Sequence, residues 1–134
     1  MGFEGLFGSS YLLCAGLSVW SAGQLNTFLK GTNSISDDGA LQRFKSVART
    51  QMYLALVVIV LMASGIIAGI AVISRHGVLG LVVVLTANML VFGLGRYHKR
   101  FETRARSLPV GSDNLGTEYR RVCDTWVKKA LPDF

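Results

Sequence analysis

The side chains with chemistry to offer are few and scattered. His76 follows Arg75, and His98 is followed by Lys99 and Arg100. A histidine in a basic cluster beside an apolar run reads first as an interfacial residue, and only second as a metal or cofactor ligand. Cys14 lies in an apolar stretch and Cys123 in a charged tail, so neither a structural disulfide nor a metal knuckle is expected. Ser, His and Asp occur without nucleophile–base spacing, a metal motif or a phosphate loop. Gly93-Leu94-Gly95 is a fragment of a glycine-rich pattern, but inside an apolar run it signals helix packing. Asn88, close to Thr86, sits near the middle of that run. An amide in hydrocarbon is costly unless bonded, so Asn88 is expected to face a neighbouring helix, with a polar path as the alternative. No catalytic residue, metal ligand or cofactor ligand is assigned, and an enzyme is not expected.

The elements that position these residues are apolar helices. Thr50 to Ser74 holds twenty-five residues without a formal charge between Arg49 and Arg75. At ~1.5 Å per residue such a helix exceeds the ~30 Å hydrocarbon core of a bilayer. A chain of 134 residues has too little sequence to wrap it as a soluble core. Val78 to Gly95 adds eighteen residues after the Ser74–Gly77 turn, roughly 27 Å of helix. So short a turn makes the two runs antiparallel neighbours. Gly5 to Leu29 is uncharged as well, but Gln24 and Asn26 make it less apolar. It is expected to cross; the alternative is an interfacial helix with Leu13, Leu17, Trp20 and Phe28 turned to lipid. The expected fold is an all-α membrane protein: two transmembrane helices in an antiparallel hairpin, a third N-terminal span, and a C-terminal amphipathic helix. Its transmembrane domain covers 1–107, with spans near 6–29, 50–74 and 78–95, and its peripheral tail covers 108–134.

Small residues mark the packing faces. Gly65 and Gly69 form a GxxxG pair, with Ser64 and Ala68 one residue earlier, where backbones can approach in lipid. Ala15, Gly16, Ala22 and Gly23 suit the first run to a close neighbour. The polar connector from Lys30 to Arg49 ends the first helix at Gly31-Thr32-Asn33 and offers Ser34, Ser36 or Asp37 as the next N-cap. Leu41, Phe44 and Ala48 then read as an amphipathic lead-in continuous with the central run.

Half of the residues are hydrophobic, 16% are charged, and the net charge is +6. In three spans thirteen Lys and Arg fall in the connector and tail, and Arg75 alone falls on the other side. The positive-inside bias accounts for that excess, so the connector and tail should face cytoplasm, matrix or stroma. Arg49, Arg96, Lys99 and Arg100 are expected at lipid headgroups, and structural phospholipid is the one small molecule anticipated. Nucleic acid is not expected, because no aromatic-basic reading surface accompanies the charge. The opening MGFEGLFGSS lacks a basic n-region, so no cleavable signal is expected.

Leu108 to Gly111 breaks the chain, and Asp113, Asn114 or Thr117 can cap a last helix that Pro132 ends. Leu115, Tyr119, Val122, Trp126 and Ala130 recur on one face. Such a stripe must be covered by the chain's own bundle, by the membrane surface or by a partner subunit. Docking to a partner through Leu115, Tyr119, Val122 and Trp126 is the expectation.

Residues 5–65 resemble the hypoxia-induced-gene domain of respiratory supercomplex factors. There a small-residue-rich span is followed by a basic-Gly-Asn turn, a polar stretch and a Q-x3-R-x-R-x3-Q entry to the next span. Phe28-Leu29-Lys30-Gly31 with Asn33 resembles the turn, and Lys45 and Gln51 fall on the first Arg and last Gln. Val47 replaces the second Arg, and Gln42 lies one residue off the first Gln. The resemblance implies a non-catalytic protein that binds cytochrome c oxidase in the mitochondrial inner membrane.

The functional expectation is therefore a non-catalytic accessory subunit of an energy-converting membrane complex, with cytochrome c oxidase or a respiratory supercomplex as host. It would stabilise assembly through helix packing and lipid contacts. ATP synthase is an alternative host. A transporter or channel subunit and a membrane-shaping hairpin are alternative roles, and a bacterial or thylakoid membrane is an alternative setting.

Overall fold

The uncharged runs fold as helices, and the polar stretches between them as short, capped connections. A computed structural model describes residues 2–134, so Met1 of the domain expected over 1–107 lies outside it. Three helices follow in order: α1, Phe3–Gly31; α2, Asp38–Ala105; and α3, Asp113–Lys128. Both α1 and α2 are long and apolar enough to cross a membrane. The described residues form no strand, only an isolated bridge between Ile35 and Val110.

Local chemistry sets the boundaries. Glu4 lies in the first turn of α1 and Lys30 in the last, each complementing the helix dipole. Of the three cap residues offered by the connector, Asp37 is the one used, its carboxylate accepting from the Ala40 amide at 2.6 Å. Gly77, with φ 57° and ψ −129°, breaks α2. Glycine adopts that conformation without the Cβ penalty other residues meet. The last helix ends at Lys128, four residues before Pro132, which leaves Ala130 outside the amphipathic face.

Side chains align the segments. Residues after Gly77 pack along those before it: a Cβ at Gly80 would lie 2.6 Å from the Val72 carbonyl, and Val84 abuts Gly69. The first helix runs opposite to the first arm of α2. Glu4 meets Arg75, Tyr11 meets Gly65, Cys14 meets Val58 and Phe28 meets Phe44.

Two apolar cores result. One gathers Phe7, Tyr11, Ala68 and Val72, with Val84, Ala87 and Val91 against them. The other contains Leu25, Phe28, Leu29, Ile35, Leu41 and Phe44, and is closed by Ala105, Tyr119 and Val122. Around the first core the outer surface is apolar: Val60, Ile67, Val78, Leu79, Met89 and Phe92 are each more than 60% exposed. Contiguous apolar surface on that scale is foreign to a monomer in water.

Candidate functional site

Between the two cores, one polar cluster joins α1 to both arms of α2. Ser21 comes from α1, Gln51 from the first arm and His98 from the second. The Ser21 hydroxyl donates to Gln51 Oε1. His98 Nε2 stands 2.8 Å from that hydroxyl and 3.0 Å from Gln51 Oε1. The Gln51 amide nitrogen donates to the Ser21 carbonyl at 3.3 Å. Ser21 and Gln51 are buried, and His98 is partly so.

Hydrogen counting assigns the roles. Donation by the Gln51 amide nitrogen to a carbonyl turns its oxygen toward Ser21 and His98. Three electronegative atoms then meet, and the serine supplies one hydrogen. A bare His98 Nε2 would leave lone pairs facing lone pairs, so Nε2 carries a proton and donates. In that state it cannot take the Ser21 proton. The pair resembles a nucleophile and base in distance alone, and it lacks an orienting carboxylate. Its chemistry is that of an interhelical clamp. Burial lowers the His98 pKa and favours the neutral ring, while Glu102 acts in the opposite direction. A cleft of about 280 Å³ adjoins the cluster, walled by Leu17, Leu54, Val58 and Ile59.

The other residues singled out from the sequence lie around this cluster. Gly65 packs against Tyr11, where a Cβ would come within 2.8 Å of the ring, and Gly69 lies between Phe7 and Val84. Ala68 is fully buried, and the Ser64 hydroxyl returns to its own helix at Val60. Asn88 donates to the Val84 carbonyl at 2.8 Å and lies beside Tyr11, whose buried hydroxyl makes no hydrogen bond of ordinary geometry among the described residues. Arg49 reaches the Phe134 main-chain oxygen. Arg96 lies over the Phe92 ring at 5.4 Å, and Lys99 and Arg100 are exposed.

The tail stripe is covered from within the chain, in place of the partner expected from the sequence. Tyr119 and Val122 are buried in the second core, with Leu115 and Trp126 packed against it. The Tyr119 hydroxyl donates to the Ala105 carbonyl at 2.7 Å and accepts from the Leu108 amide at 3.1 Å. Phe44 accounts for the difference, since it contacts both the Tyr119 and Trp126 rings. An intramolecular partner already held nearby has less entropy to lose than a separate subunit. Lys45 and Glu118 pair at 2.6 Å across the same contact. Both cysteines are free, and burial raises the Cys123 thiol to about 11, which keeps it protonated and unreactive near neutrality.

Sequence alone does not reveal the cluster: Gln51 stands out only through the family motif, His98 reads as interfacial, and nothing marks Ser21. The positional signal is weak: Gln51 opens its uncharged run, His98 lies just beyond the end of its own, and Ser21 lies well inside the first, so only packing in register brings them level. At the opposite end Glu4 pairs with Arg75 at 2.8 Å and lies 3.4 Å from His76, and these partners lower the Glu4 carboxyl to about 2. Among the described residues no three His, Cys, Asp or Glu converge as a metal site. Comparison with protein-family models, curated proteins and solved structures gave no match.

Proposed function

We propose that this chain is an integral membrane protein in which α1 and both arms of α2 cross the bilayer, the arms forming an antiparallel hairpin. Its role is that of a non-catalytic accessory subunit of a multisubunit energy-converting complex, most readily a respiratory oxidase or supercomplex of the mitochondrial inner membrane. The observation that carries the reading is the inside-out surface. Val60, Ile67, Val78, Leu79, Met89 and Phe92 face outward, while Ser21 and Gln51 are turned inward and bonded to one another. No ionisable pair lies within the spans to move protons or ions, as transport sites require. The connector and tail occupy the positive side, following the excess of Lys and Arg there. The partial resemblance to the hypoxia-induced-gene domain supports the choice of host.

Two measurements test this reading. The chain should remain in the membrane pellet after alkaline carbonate extraction. In mild-detergent native electrophoresis it should migrate with a large complex whose subunits mass spectrometry identifies. Release by carbonate defeats the membrane placement, and migration as a small homo-oligomer defeats the accessory role.

A further inference from the structure

A cleft between α1 and the first part of α2 lies at the positive end of the spans, and none of Ser21, Gln51 and His98 lines it. Its volume is about 740 Å³. One wall is a face of α1 with Trp20, Gly23, Thr27 and Gly31, and the other is a face of α2 with Arg43, Ser46 and Thr50. These positions recur at three- and four-residue steps, so each wall is a single helical stripe. From Trp20 to Gly31 is roughly 16 Å along the helix axis, which with a span near 6–29 takes the cleft from within the hydrocarbon into the headgroup layer.

Its chemistry is that of an anion site with an apolar lower end. Arg43 is exposed, and its one hydrogen bond is a long contact from Nε to the Gly39 carbonyl at 3.4 Å. Lys45 is paired with Glu118, whereas Arg43 has no carboxylate partner among the described residues, and no carboxylate lines the cleft. The Thr50 hydroxyl bonds back to Ser46, while Thr32 is 7% exposed and lines the cleft. Gly23 leaves the floor open, since a Cβ there would meet nothing within 4 Å. Trp20, half exposed at the lower end, has the amphipathic ring that settles beneath headgroups.

We propose that this cleft holds one anionic phospholipid, its phosphate on Arg43 and the Thr27 and Thr32 hydroxyls and its acyl chains passing Gly23 and Trp20. The site rests on the membrane placement proposed above. It differs from diffuse attraction to Arg96, Lys99 and Arg100, because shape as well as charge is required.

The test is native mass spectrometry of the full chain released from mild detergent. Equal concentrations of phosphatidylglycerol and phosphatidylcholine with matched chains are added, or inorganic phosphate with phosphatidylglycerol. Wild type should retain a single phosphatidylglycerol about fivefold over phosphatidylcholine, the preference expected of one surface cation. Arg43→Gln should abolish that preference. Gly23→Leu, which fills the floor and leaves the charge unchanged, should do the same, while the double variant Arg96→Gln/Lys99→Gln should keep it. Circular dichroism verifies that each variant is folded. Undiminished preference in folded Arg43→Gln, or equal loss in the double variant, overturns the site. Displacement of the lipid by inorganic phosphate overturns the lipid assignment in favour of a free anion. The membrane placement is judged separately by carbonate extraction, so its failure is distinguishable from failure of the site.

Discussion

Ser21, Gln51 and His98 form a network whose members depend on one another. Ser21→Ala removes one hydroxyl and leaves two polar groups partly unsatisfied, and it should lower stability by about 1–2 kcal/mol. Thermal unfolding in detergent measures this. The pH dependence follows from the depressed pKa of His98. An unfolded histidine titrates near its ordinary 6.5. The folded ring takes its proton only at lower pH, so its stabilisation is complete above that value and is lost as pH falls through it toward the folded pKa. Wild type should therefore melt at lower temperature at pH ~5.5 than at pH ~7.5, and His98→Gln should flatten that difference. Glu4 leaves this window undisturbed: its contribution is present above 4.5 and is lost only as pH falls through about 2.

Glycines separate packing from composition at the same scale. Gly80→Ala would place a Cβ against the Val72 backbone at 2.6 Å, and Gly65→Ala would press on the Tyr11 ring at 2.8 Å. Backbone cannot yield as a side chain does, so Gly80→Ala should be the more damaging, by about 1–3 kcal/mol or more. Gly93→Ala meets open space and should be neutral or stabilising by up to ~1 kcal/mol, since it removes a flexible residue from a helix. If all three variants melt alike, the close approach of the two arms of α2 is wrong.

At the scale of elements, α3 is held by aromatic packing and by the two hydrogen bonds of one phenol. The Ile35–Val110 bridge sets the chain entering it, with Ile35 donating to Pro109 at 2.8 Å and Gly111 donating back to Ile35 at 3.0 Å. Val122→Asp would place a carboxylate among Leu25, Phe44 and Ala105 and should detach the helix. Limited trypsin digestion should then cut at Arg120 and Arg121 much faster than in wild type, while the α1–α2 part stays intact. Tyr119→Phe should act in the same direction but more weakly, at about 1–2 kcal/mol for a phenol bonded at both lone pair and proton. Lys45→Ala should have a small effect, below ~1 kcal/mol, because the pair with Glu118 is partly solvated.

Across the whole molecule, what could be read without coordinates was whatever depends on neighbours in sequence. The uncharged runs specify helices because a helix satisfies its own backbone hydrogen bonds, and their length and composition mark out an apolar exterior. Breaks and caps such as Gly77 and Asp37 are local in the same sense. Which polar and aromatic side chains meet was decided by tertiary structure, because positions 21, 51 and 98 carry no mutual signal until three segments are packed in register. The same is true of the tail. Its periodicity required a covering surface, and only the position of Phe44 beside Tyr119 and Trp126 decided that the chain supplies that surface itself.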